Sequence, residues 1–196
     1  MKKLLIILLF TFTGTFAQNS YIVDKKGNKS FIRPELTDVL LIDKRISYVN
    51  VGKTWEKYIK FEDLDQALIG PSLLKSFHLN QKKRAEVYFV YAEKPDRKLI
   101  GLAITTTTVH GSMSSSVTSY ELYVIDNSET IIDQISTRSG KSDAKIETRL
   151  KIAPFIRTYF SDCPSLMAKV DKYDYPDERN ESILGFFSDT RYINCK

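Results

Sequence analysis

The stretch from residue 86 to residue 135 constrains this chain most, because it alternates long β-forming runs with short turn signals. Residues 86–91 read Glu-Val-Tyr-Phe-Val-Tyr. β-branched and aromatic side chains throughout fit a strand buried on both faces. Lys94-Pro95-Asp96-Arg97 supplies a turn in which proline presets the backbone. Residues 99–108 form a second long run, Gly111 marks another turn, and residues 120–125 and 130–135 complete four runs. Consecutive strands joined by short turns pair as antiparallel neighbours. The expectation is a four-stranded meander.

Shorter runs precede it. Tyr21-Ile22-Val23 and Ser30-Phe31-Ile32 flank the polar Asp24-Lys25-Lys26-Gly27-Asn28 and read as a hairpin. Pro34 ends the second run or confines it to an edge. Residues 39–42 and 46–49 read as another strand pair, and residues 56–61 as a further strand. Gly70-Pro71 is a break. Residues 73–79 suit either a strand or a short helix. After Gly140 the period changes. Ile146, Leu150, Ala153, Ile156 and Phe160 fall at helical spacing behind Ser142, a candidate cap. Pro154 should split that helix near Ile152. Pro164 suits the first turn of a new helix through Val170. Residues 178–192 read as a last helix that Gly185 weakens. The expected fold is α+β: an antiparallel, strongly twisted sheet over about 20–136, followed by helices over about 141–194 packed on it, all in one domain spanning 18–196.

Residues 1–17 have the pattern of a secretory signal peptide. Lys2-Lys3 precede the apolar Leu4-Leu5-Ile6-Ile7-Leu8-Leu9-Phe10, and Thr15-Phe16-Ala17 offers small residues for cleavage before Gln18. The apolar run is far shorter than the roughly 20 residues that span a bilayer, so no transmembrane segment is expected in the mature chain. Losing Lys2 and Lys3 lowers the formal charge from +5 to +3. The densest basic run is Lys82-Lys83-Arg84, and no stripe of charge suits a nucleic acid. In an oxidising compartment the two cysteines, Cys163 and Cys195, suggest a structural disulfide; a reactive thiol is the alternative.

Catalytic signatures are thin. Val51-Gly52-Lys53-Thr54 carries the tail of a phosphate-binding loop, but the earlier glycine that motif requires is Ser47. The two histidines, His78 and His110, have no metal-ligand spacing. His110-Gly111-Ser112 lacks the flanking glycines of a nucleophile elbow. No cofactor is expected. The segment 105–119 is unusual: ten of its fifteen residues are Ser or Thr. Thr107, Thr108, His110, Ser112, Ser114, Ser115 and Ser116 are the candidate contact residues. One reading extends the flanking strands into a protruding hairpin that binds a polar ligand or an envelope protein. The other, which the serines favour by bonding their own backbone, is a solvated loop tip.

The two ends of the chain resemble a family of small exported proteins from Bacteroidota. Tyr21-Ile22-Val23 followed by Gly27-Asn28 is similar to that family's opening Y-I-x-x-x-x-G-D turn. Tyr159-Phe160-Ser161-Asp162-Cys163-Pro164-Ser165-Leu166 is similar to its C-terminal helix break, with a second cysteine near the end. The chain departs from the pattern in having Asn28-Lys29-Ser30 after Gly27. The resemblance implies a Gram-negative envelope location and brings no catalytic residues. Together these readings favour an exported, non-enzymatic binding or structural module that is periplasmic, outer-membrane-associated or secreted. The alternative is a secreted hydrolase whose site has no signature.

Overall fold

A computed structural model describes residues 20–111, 113–175 and 177–196, with His110 described by its backbone. The proposed signal peptide and Ser112 lie outside the described residues. The protein is mostly antiparallel sheet with a C-terminal helical segment. Strands β1 (Tyr21–Asp24), β2 (Lys29–Leu40), β3 (Arg45–Asn50), β4 (Glu56–Lys60), β5 (Leu64–Ile69), β6 (Ser72–Phe77), β7 (Glu86–Glu93), β8 (Arg97–His110), β9 (Met113–Asp126) and β10 (Ile131–Arg138) lie in the spatial order β10-β9-β8-β7-β6-β5-β1-β2-β3-β4. A short β11 (Ile193–Asn194) pairs in parallel with β7. Helices α1 (Asp143–Leu150), α2 (Ile152–Phe160), α3 (Pro164–Tyr173) and α4 (Gly185–Ser188) fill most of the chain between β10 and β11.

The strongest sequence signals become the strands that carry the core. Val90, Tyr91 and Ala92 of β7 are all fully buried, and the register against β8 shifts across them, so Tyr91 turns to the helix side. There Tyr91, Leu99, Leu122 and Val124 join Ile152, Ile156 and Phe160 of α2, Leu166 and Val170 of α3, and Phe186 and Phe187 of α4 in one cluster. The opposite face collects Tyr88, Val90, Ile100, Leu102 and Ile125. Gly101 sits where β9 leaves no room for a side chain on β8: a Cβ there runs into the Glu121 carbonyl oxygen. A third cluster, around Ile22, Ile32, Ile46, Leu64 and Leu74, holds the β1–β6 end together.

Several elements differ from expectation. Pro34 falls in the interval of β2 where the register against β3 shifts, between Ile32 and Thr37. A residue without an N–H is tolerated there because the ladder is already interrupted. Residues 73–79 resolve as strand β6 followed by a 3-10 turn, Leu79–Gln81. Strand β5 had no sequence signal: its buried Leu64, Ala67 and Leu68 are interrupted by Asp65 and Gln66, which blurs the alternation. Ser142 occupies the cap position of α1 but its side chain makes no capping bond. Pro154 does divide the helices, with α1 ending at Leu150 and α2 starting at Ile152.

The expected last helix over 178–192 does not form as one helix. Asp177 instead accepts the backbone N–H groups of Arg179 (2.9 Å), Glu181 (2.9 Å) and Ser182 (2.7 Å), and Asn180 takes a left-handed φ of 49°. That turn leaves only a 3-10 turn, Ser182–Leu184, and the single-turn α4. The chain then returns to the sheet, with Tyr192 N–H on the Pro71 carbonyl and Cys195 N–H on Glu93.

Candidate functional site

The candidate contact residues lie on a two-stranded ribbon formed by the far halves of β8 and β9. The ladder runs continuously from Arg97↔Asp126 to His110↔Met113, so the Ser/Thr segment is a hairpin and not an irregular loop tip. Threonine and valine favour the extended backbone, and cross-strand side-chain pairs hold the register. Thr105 and Thr118 share a hydroxyl hydrogen bond of 2.9 Å, and Thr107 and Ser116 one of 2.8 Å. These bonds answer the tendency of Ser and Thr to bond their own backbone. Gly111, at φ +60°, opens the two-residue connection at the tip.

The ribbon stands clear of the sheet. The β7 ladder on β8 ends at the pair Phe89↔Gly101, and the β10 ladder on β9 ends at Arg138↔Ser119. Beyond those points Thr105, Thr106, Thr107, Thr108 and Val109 are exposed, as are Met113, Ser114, Ser115, Ser116 and Val117. Alternation places Thr107, Ser114 and Ser116 on one face and Thr108 and Ser115 on the other. Ser112 lies outside the described residues, and only the backbone pairing of His110 is given.

The base of the ribbon is anchored on both faces. On the helix side the ring of Tyr120 lies 5.1 Å from that of Phe187. On the other, Tyr123 donates to Glu121 (2.9 Å) and Tyr88 to Glu86 (2.8 Å), with the two tyrosine rings edge-on at 5.5 Å. Burial and then the carboxylate bond push the Tyr123 hydroxyl up to about 12, and the same causes raise Tyr88 further. These phenols stay protonated at neutral pH and donate to their carboxylates at the base, while the ribbon offers hydroxyls and backbone groups.

The second predicted feature is in place. Cys163, at the cap of α3, is bonded to Cys195, with Cα atoms 5.3 Å apart and a sequence separation of 32. The bond ties the α2–α3 junction to the segment that adds β11 to β7. The Gly52-Lys53-Thr54 segment forms the β3–β4 turn, where Lys53 N–H bonds the Asn50 carbonyl and the Lys53 ammonium lies 5.1 Å from the Trp55 ring. His78 precedes the Leu79–Gln81 turn, with Nδ1 3.0 Å from the Lys82 carbonyl. Among the described residues, His, Cys, Asp and Glu form no group able to hold a metal ion, and no helix is long and apolar enough to cross a membrane.

Sequence reasoning missed the signal that most distinguishes the ribbon, which is what it lacks. No Asp, Glu, Lys or Arg occurs between Lys98 and Glu121, in a chain that is 27% charged. Comparison with known proteins finds no matching family model, no matching curated protein and no matching solved structure.

Proposed function

We propose that the protein is an exported, non-enzymatic binding module of the Gram-negative cell envelope, with the outer β8–β9 ribbon as its contact surface. The observation that carries this reading is the ribbon itself: paired strands that project past both neighbours with their described outer side chains exposed. A solvated loop has to be ordered on binding, whereas a preformed ribbon presents its hydroxyls and backbone groups at lower entropic cost. Its chemistry suits a polar ligand or an envelope protein. The leader-like residues 1–17 and the resemblance to exported Bacteroidota proteins support the location. The disulfide suits an oxidising compartment. In this reading the sheet is strongly twisted and, with the helices packed on it, serves as the rigid mount of the ribbon.

The test is removal of residues 107–116, joined by a short turn, followed by affinity capture from the native envelope with the disulfide intact. The expected result is an unchanged melting transition and loss of capture. Capture equal to that of the intact protein defeats the reading.

A further inference from the structure

We infer that the ribbon pairs with the ribbon of a second copy of this chain, β8 edge to β8 edge, about a two-fold axis at Thr107. The inference rests on the ribbon being a contact surface and names what covers it.

The direction of the backbone groups follows from one residue. Thr118 donates its N–H to the Ser139 hydroxyl (2.9 Å) and accepts from the Ser139 N–H (2.7 Å), so its backbone polar groups point away from β8. Antiparallel pairs alternate between those that bond each other and those that face outward. Thr105↔Thr118, Thr107↔Ser116 and Val109↔Ser114 are therefore outward-facing pairs, while Thr106↔Val117, Thr108↔Ser115 and His110↔Met113 hold the ribbon together. The bonded pair closing a two-residue tip agrees with that phase. Thr105, Thr107 and Val109 thus aim their N–H and C=O groups out of the β8 edge. In register, the first residue of β7, Glu86, reaches only as far as Ile104, so this edge lies past the end of β7.

Edges of this kind are normally blunted by lysine, proline or an inward charge. Here none is present between Lys98 and Glu121. What pairs with an uncharged edge without leaving a charge unanswered is another uncharged edge, and the same ribbon on a second copy is one. Antiparallel pairing about Thr107 sets Thr107 against Thr107 and Thr105 against Val109. Every outward-facing residue then meets another, which closes an isologous interface. Val109, 68% exposed near the tip, lies at each end of it. The β9 edge is the poorer template, because Ser139 already occupies it at Thr118.

Proline provides the test. Thr107→Pro removes an outward N–H and no backbone bond inside the ribbon, and proline is accepted on edge strands. It also loses the hydroxyl bond to Ser116, which Ser116→Pro loses equally, so the two variants differ in the edge they block. Ser116→Pro does the same on the β9 edge. Sedimentation of the purified, disulfide-intact protein over a micromolar to millimolar series is expected to show a reversible dimer. Thr107→Pro weakens it by at least about tenfold, since the reciprocal pair of hydrogen bonds at the axis is lost. Ser116→Pro leaves it intact, and both variants melt as the parent does. A parent protein that stays monomeric across the series, or a Thr107→Pro variant that dimerises equally well, overturns the inference. If the monomeric parent still loses envelope capture on deletion of 107–116, the ribbon has a different partner and the proposed function stands. If it loses nothing, both fall.

Discussion

Lys169 is 7% exposed, yet it carries an amine. Its Nζ donates to the Asp189 carbonyl, lies 4.5 Å from the Phe186 ring centroid and 4.8 Å from that of Tyr91, and is 3.9 Å from the Asp189 carboxylate. Burial pushes its ammonium down from 10.5 to about 8, and Asp189 offsets only part of that. Between pH 8 and 10 the unfolded chain therefore holds a proton at this residue that the folded chain has released. Stability must rise with pH across that window, by about 2 kcal/mol. Above pH 10 the buried Tyr88 and Tyr91, whose hydroxyls are raised, act in the opposite direction. In Lys169→Met, urea unfolding at pH 8 and pH 10 is expected to lose the rise. A slope equal to that of the parent assigns it elsewhere. In sequence Lys169 reads as an ordinary surface residue of a short helix, because the rings and carbonyl around it come from β7 and α4.

Arg149 shows the same limit. It is fully buried and donates to the carbonyls of Arg138 and Arg179, at 3.3 and 3.0 Å, and to that of Gly140. It joins the end of β10, the turn into α1 and the loop after α3. Arg149→Met leaves those carbonyls unanswered in the interior and is expected to cost about 3 kcal/mol, measured by denaturant unfolding. A loss under about 1 kcal/mol contradicts that role.

At the scale of elements, β7 through β10 were legible because their runs are long, β-branched and separated by Pro or Gly turns. Strand β5 was not, since a strand whose alternation is broken gives no period to read. The disulfide was legible as a pairing but not as a function. It holds β11 beside β7, and its loop stabilises by roughly 3–4 kcal/mol on the chain-entropy model. Replacing both cysteines by serine is expected to cost about that much and to speed amide exchange at positions 193 and 195 first. Equal exchange in the two proteins shows that β11 needs no clamp. Gly101→Ala is a sharper element-level test. The added methyl meets Glu121 backbone, which cannot rotate away, so β8 and β9 must part at the base of the ribbon. The expected loss is about 2–3 kcal/mol, with shifted amide resonances at Leu122.

Over the whole molecule the order of strands decides which parts are dispensable. β1, the first described strand, lies between β5 and β2 and so joins the two halves of the sheet. Removing residues 20–24 is expected to abolish the cooperative melting transition, while removing ten residues from the ribbon tip leaves it intact. A shortened chain that still melts cooperatively shows that the halves fold separately. The sequence by itself determined the strand-rich and helical regions, the helix break just ahead of Pro154 and the two cysteines, because each is a local pattern of side-chain type and backbone restriction. Only the tertiary structure decided that β5 pairs with β1, that residues 189–195 return to the sheet, that Lys169 and Arg149 are interior, and that the Ser/Thr segment is a projecting ribbon with an open edge. Those depend on partners far away in sequence, and pairing between distant segments leaves no period in either one.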